Sequence, residues 1–303
     1  MSRSADTPPL RLVREARIGD LLPAGAPDRL EASGVISVDG RYHVIFDNLR
    51  SIALIDEDLD RVGGNTLMPT GPHAAYAYED IARDPDTGHL YLLVEAACRN
   101  GGYMARVEEY DERLRFVSDD WLEFPLPESN KGIEGLECVR RDGTTHLLGL
   151  CEGNRDRSGA AGRQPGGGRI VVFRRGRRNW KHEATMDLPG TLEFADYSSL
   201  AIAGERVAVV SQESSALWSG SLAPAAWELT GTGRTYLFPR DADGDVLYCT
   251  VEGVCWLHPD EVVVVSDRAK ARSQGRRCRA KDQSLHVFAL PSEAGDDRAG
   301  GPA

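Results

Sequence analysis

Five times along this chain a small or acidic residue opens a short apolar strand, a turn follows, and a second apolar strand closes on another polar residue. The openings are Ala32-Ser33-Gly34-Val35, Tyr78-Glu79-Asp80-Ile81, Ile133-Glu134-Gly135-Leu136, Tyr197-Ser198-Ser199-Leu200 and Val251-Glu252-Gly253-Val254, standing 46, 55, 64 and 54 residues apart. The second strands end on Phe46-Asp47, Val94-Glu95, Cys151-Glu152, Ser211-Gln212 and Ser266-Asp267. A repeat of that length is one four-stranded propeller blade with its loops, and a chain that repeats this way has few other folds open to it. Third strands follow at Ser51–Ile55, Arg169–Phe173 and Ser284–Leu290, and outer strands at Trp121–Leu126 and Glu183–Leu188. Turn residues punctuate them, as in Asp84-Pro85-Asp86-Thr87-Gly88, while stretches of helical apolar spacing are scarce.

The fifth unit runs out after Leu290-Pro291, one strand short, and an unassigned strand, Leu10–Ile18, precedes the first unit. The economical expectation is an all-β propeller of five blades, its ring closed by the N-terminal strand, with a sixth blade drawn from N-terminal sequence as the alternative. Residues 10–291 then form one domain, and residues 1–9 and 292–303 are expected to be disordered ends.

Composition narrows the function classes. With 36 Lys plus Arg against 47 Asp plus Glu, the net charge of −11 argues against a general nucleic-acid binder. No apolar run has the length of a membrane span, and the first 24 residues hold no apolar leader core, so a cytoplasmic protein off the membrane is the expectation. The six cysteines show no CxxC pair or zinc spacing and mostly sit beside apolar residues, which predicts buried free thiols. No apolar surface segment argues for a particular protein partner.

In a propeller the start of the innermost strand and the end of the next strand meet at one mouth of the central channel. Ser33, Glu79, Glu134, Ser198 and Glu252 would ring that mouth, with Asp47, Glu95, Glu152, Gln212 and Asp267 outside them. Seven of these ten are acidic, where 47 acidic residues in 303 would supply one or two. Carboxylates so crowded either take up protons or share a cation; the alternative is that a wet channel simply solvates them. Oxygen donors without His or Cys suit Ca²⁺ better than zinc or copper.

The order Ser, Glu, Glu, Ser, Glu, one per blade, resembles the calcium-activated nucleotidases, the apyrase family of five-bladed propellers with calcium on the axis. That resemblance implies that Ser33, Glu79, Glu134, Ser198 and Glu252 are calcium ligands, and Phe46-Asp47-Asn48-Leu49-Arg50 is similar to the family's acidic segment. The family's Lys-Glu-Trp segment is missing, Glu95-Ala96-Ala97-Cys98 standing in its place, so nucleotide hydrolysis does not carry over. The turns Glu134-Gly135 and Glu252-Gly253 are also similar to those of lactonase and phytase-esterase-like propellers.

Two loops beside the acidic mouth are cationic: Gly153–Gly168 with Arg155, Arg157 and Arg163, and the segment after Asp267 with Arg268, Lys270, Arg272, Arg276, Arg277, Arg279 and Lys281. They point to an anionic small molecule, with solvated flexible loops as the alternative. Arg50, Lys131, Arg155 and Arg268 are the candidate anion-binding residues, and Asp47, Glu152 and His73 the candidate proton carriers. Tyr76, Tyr197 and Tyr248 either wall the pocket or pack beneath it. Two functions follow: a calcium-assisted hydrolase or lyase, or a non-catalytic binding propeller whose calcium is structural.

Overall fold

The computed structural model describes residues 7–60, 63–71, 77–99, 101–127, 132–157, 159–270 and 274–291. The first strand, β1 (Arg11–Arg17), stands apart from its sequence neighbours. After it come β2 (Ala32–Val38), β3 (Arg41–Phe46), β4 (Ser51–Asp56) and β5 (Thr66–Pro69), then β6 (Tyr78–Arg83), β7 (Leu90–Arg99), β8 (Gly102–Tyr110) and β9 (Phe116–Glu123). The chain continues through β10 (Ile133–Arg141), β11 (Thr144–Cys151), β12 (Arg169–Arg175) and β13 (Trp180–Asp187), then β14 (Ser199–Ala203), β15 (Arg206–Ser211), β16 (Ala216–Leu222) and β17 (Leu229–Leu237). It ends with β18 (Val251–His258), β19 (Glu261–Ser266) and β20 (Ser284–Ala289).

Four of these sets are antiparallel meanders in chain order, and the fifth runs β18-β19-β20-β1. β1 pairs antiparallel with β20 from Arg11↔Ala289 to Arg17↔Ser284, so the N-terminal strand closes the ring as the repeat predicts. The strands β2, β6, β10, β14 and β18 pack against one another in that cyclic order, forming the inner wall of a β-propeller. A two-residue parallel contact between β13 and β9, Trp180↔Leu122 and Lys181↔Glu123, joins two outer edges.

The core lies between the meanders. Each gap holds one buried apolar cluster, so interior strands are covered on both faces and lose the usual alternation of polar and apolar residues. β19 shows the consequence: Val263 and Val265 enter one cluster, Val262 and Val264 the next. No helix among the described residues is long and apolar enough to cross a membrane.

Several expectations change. Residues 7–9 are placed: Leu10 N–H donates to Leu237 O (2.8 Å) and Leu237 N–H to Pro8 O (3.1 Å). β7 continues through Glu95 to Arg99 and turns into β8, so Glu95 lies inside a long hairpin and not at a strand end. The second meander's outer strand runs Phe116–Glu123, ahead of the expected Trp121–Leu126. Cys249 and Cys278 form a disulfide, correcting the reading of six free thiols; Cys98, Cys138, Cys151 and Cys255 are free. Sequence spacing could not show this, because the two residues meet only after β18 and β19 fold back. Residues 292–303 lie outside the described residues.

Candidate active site at the channel mouth

The inner strands open on a shared irregularity. Ladder register shifts between Ala32 and Gly34, Tyr78 and Ile81, Ile133 and Gly135, and Val251 and Gly253. At the fourth inner strand, Ser198 N–H donates to Val210 O (3.0 Å) although Ser199 is Val210's ladder partner. A bulge frees one residue from the ladder and re-aims its side chain. The residues in these bulges include Ser33, Glu79, Glu134, Ser198 and Glu252, so one backbone irregularity recurs at the start of each inner strand. The two serines tie neighbours together: Ser33 Oγ donates to Tyr78 O (2.7 Å) and Ser198 Oγ to Val251 O (3.0 Å). In each case the acceptor precedes the next blade's glutamate.

Beneath the ring lies a layer of Gly34, Asp80, Gly135, Ser199 and Gly253, one residue further along each inner strand. The glycines permit close approach: a Cβ on Gly253 would stand 2.8 Å from Gly34 Cα, and one on Gly135 would stand 2.8 Å from Leu200 N. Asp80, 1% exposed, fills the axis. Its carboxyl accepts Ile81 N–H (2.8 Å), Leu136 N–H (2.9 Å) and the Ser199 hydroxyl (2.8 Å), while Ser199 Oγ accepts Val254 N–H (3.1 Å). Burial pushes this carboxyl well above its ordinary range despite its three donors. One side chain thus satisfies channel-facing amides that no ladder reaches.

The outer positions stand beside the inner starts because their amides donate into the preceding loops: Asp47 to Glu31 O (2.8 Å), Glu152 to Gly132 O (3.2 Å) and Asp267 to Thr250 O (2.8 Å). Gln212 Nε2 donates to Glu252 Oε1. Burial pushes the Glu252 carboxyl well above its usual range, and the charges of Asp267, Glu134 and Asp196 push it the same way, opposed by Lys270. Burial, with Glu31 and Asp47 nearby, lifts Asp267 to about 7. Asp47 is exposed at the rim; partial burial of its carboxyl, and then Glu31, raise it. Among the described residues no three His, Cys, Asp or Glu side chains gather as one group that could hold a metal ion.

Asp196 is a carboxyl acting on Glu252 that sequence reading did not single out. It accepts the Ser211 hydroxyl and Glu213 N–H (3.1 Å to each oxygen), and burial lifts it to about 6, with Glu213 and Glu152 adding to the effect. Its signal was its place two residues before Ser198, in a loop leading into an inner strand.

The cationic loops divide. Asn154 orders the Gly/Arg-rich loop from inside, donating to Gly162 O (2.9 Å) and Phe194 O (3.1 Å) and accepting Gly167 N–H (3.0 Å) and Tyr197 OH (3.0 Å). Arg163 forks onto Glu213 at 2.7 and 2.8 Å, and exposed Arg155 lies along Gly166 and Gly167. A cavity of about 610 Å³ beside Asp267 is lined by Arg163, Gln212, Arg268, Lys270 and the disulfide. Arg50 turns away to buried Glu108 (2.7 Å), with its guanidinium 4.3 Å from the Tyr78 ring centre. Against burial, which raises it, Arg50, Tyr78 and Tyr110 hold Glu108 below its usual range. Tyr197 and Tyr248 are buried beneath the loops. His73, Tyr76, Lys131 and the Glu95 side chain lie outside the described residues.

No protein-family model matches the chain. A search among curated proteins finds no match. Among solved structures the chain is similar to Myxococcus xanthus glutaminyl cyclase, at 12% identity and a TM-score of 0.53, over 94% of this chain and 100% of that one. Aldose sugar dehydrogenase from Streptomyces coelicolor, in its PQQ-bound form, aligns at 13% identity and 0.47, over 91% and 98%. The GH43_1 enzyme from Xanthomonas citri with xylotriose aligns at 12% and 0.48, over 90% and 94%. Identities this low speak to fold alone, and the two alignments scoring below 0.5 carry no further argument. The fold places the chain in a class, the all-β propellers.

Proposed function

We propose that this protein is a calcium-binding propeller that hydrolyses or eliminates an anionic small molecule, a phosphate or carboxylate ester, at the channel mouth. The observation that carries this reading is Glu252, crowded by Asp267, Glu134 and Asp196 with Lys270 as the opposing charge. Ser33, Glu79, Glu134, Ser198 and Glu252 would hold Ca²⁺ through oxygen donors alone, which suit it. The glutamates would have to draw together on binding, because no three of the described acidic side chains are gathered as one such group beforehand. When bound, the ion would polarise a phosphoryl or carbonyl oxygen. Asp267 and Asp196, at about 7 and about 6, can take or release a proton near neutrality, which suits general acid–base work. Glu152 acts on Asp196, and Asp47 on Asp267, through their charge, and Arg268 and Lys270 would hold the anionic group from the cavity side. The disulfide fits an oxidising compartment better than the reducing cytoplasm. A binding propeller with a purely structural ion is favoured by Ser33 and Ser198, which already tie blade to blade.

The test combines metal analysis, thermal unfolding with calcium and with chelator, and a panel of phosphate and carboxylate esters. The enzyme reading expects calcium to stabilise the parent but not Glu134→Ala, and Asp267→Asn to lose turnover while keeping the calcium effect. Stabilisation without turnover of any ester would favour the binding propeller. No calcium effect at all would overturn the metal.

A further inference from the structure

Residues 274–283 lie outside every strand, with a single helical turn, Arg276–Arg279, and are fastened beside the mouth largely by side chains. Cys278 is bonded to Cys249, 29 residues away in sequence, with Cα atoms 5.4 Å apart. Next to it Arg277 reaches the loop after β17, with Nε 2.9 Å from Asp241 Oδ2, Nη2 3.5 Å from Asp243 Oδ2, and Nη1 on Asp245. Gln274 Nε2 donates to Cys249 O (3.3 Å), and its Oε1 accepts Lys270 N–H (2.6 Å). At the other end Asp282 accepts Ala269 N–H (3.0 Å), and Gln283 N–H donates to Asp267 O (3.3 Å). The cavity beside Asp267 has Gln274, Gly275 and Cys278 in one wall, and Arg268 and Lys270 in its lining.

The fastenings are unequal. Arg277 is 47% exposed, and Asp243 and Asp245 are 79% and 58% exposed, so water and salt screen those pairs and leave each weak. The disulfide is the one covalent tie, and Cys249, partly exposed in the cavity lining, is within reach of a small thiol. We propose that Cys249–Cys278 is a redox latch for this cavity, and that the oxidised protein is the form that binds an anionic group through Arg268 and Lys270. This rests on the reading that the mouth takes an anionic small molecule. A dithiol reductant supplies two electrons and two protons: the S–S bond breaks, two cysteine thiols form, and the reductant becomes a disulfide. Of these fastenings, residues 274–279 then keep only the Gln274 bonds and the screened Arg277 pairs. Lys281, Asp282 and Gln283 stay tied to Glu15, Ala269 and Ile18, so the part of the cavity lining made by Gln274, Gly275 and Cys278 loosens.

The experiment uses the full chain, oxidised and reduced, with a Cys249→Ser/Cys278→Ser variant as a form that cannot be oxidised. Hydrogen exchange reads the amides of Gln274, Ala280 and Lys281, which donate to Lys270 O, Arg277 O and Cys278 O, and calorimetric titration with inorganic phosphate reads the cavity. The latch expects those amides to exchange at least about tenfold faster in the reduced and variant proteins, with β18 to β20 unchanged, and phosphate to bind at least about tenfold more weakly. Unchanged exchange on reduction would overturn the latch. Faster exchange with equal phosphate affinity would overturn its control of the site. Phosphate binding to neither form, with exchange still redox-dependent, would overturn the anionic-ligand reading and the affinity claim with it.

Discussion

Replacing Asp80 by alanine should damage this fold more than any other single carboxyl change, because the blades meet on that side chain. The substitution leaves Leu136 N–H, Ile81 N–H and the Ser199 hydroxyl without the acceptor they share. Each buried donor left unsatisfied costs about 1–3 kcal/mol, and Ser199 can recover part by rotating, so a net loss of about 4 kcal/mol follows. Asp80→Asn keeps the shape and one carbonyl oxygen for Leu136 and Ser199, and presents a donor to Ile81 N–H, so it should cost about 1–2 kcal/mol. With an unfolding entropy of about 2.1 cal/mol/K per residue over 303 residues, 4 kcal/mol corresponds to a fall in Tm of about 6 °C. Urea unfolding and calorimetry of parent and both variants check the order and the sizes. If Asp80→Ala lies within about 1 kcal/mol of the parent, the axial network does not hold the ring together and the argument fails.

Three further outcomes follow. Asp267 has a folded-state pKa of about 7, above its unfolded value, so its contribution is fully present below the unfolded pKa and lost as pH rises through about 7. In chelator, Asp267→Asn should therefore gain stability relative to the parent between about pH 5 and about pH 8, and a constant difference in Tm across that range would refute the assignment. The proposed calcium would compete with protons for these carboxyls, so its apparent affinity should be at least about tenfold weaker at about pH 5 than at about pH 8; titrations followed by thermal shift would show it, and pH-independent affinity would sink the idea. Gly253→Ala places a Cβ 2.8 Å from Gly34 Cα and 2.9 Å from Ser33 O, backbone atoms that cannot move aside, and should cost about 2–3 kcal/mol by urea unfolding; a neutral result would mean the inner strands pack less tightly than described.

The repeated strand starts were legible because their chemistry recurs at blade spacing. Ser33, Glu79, Glu134, Ser198 and Glu252 each sit at the same bulge, and a repeated backbone device leaves a repeated sequence trace. The layer below was in the same sequence windows, yet nothing in Glu79-Asp80 distinguishes an axial plug from a second solvated carboxylate. Asp80 acquires its role from Leu136 and Ser199, 56 and 119 residues away. Arg50 illustrates the opposite error: a cation beside an acidic segment looked free to bind an anion, but Glu108, 58 residues on, faces it in the fold.

Local rules alone carry the all-β character of the chain, the blade-length repeat, the last strand supplied from the N-terminus and the acidic residues at inner-strand starts. Strand periodicity, turn chemistry and repeat spacing act over a few residues, so they can be read without neighbours. Folding in three dimensions brings Asp196 near enough to act on Glu252, Cys249 to Cys278, and Arg163, Arg268 and Lys270 to one cavity. Those facts arise when blades are wrapped into a ring and distant residues are brought within a few ångströms. Desolvation and pairing, the terms that turn a carboxyl into a proton carrier or a cation into a strut, begin there.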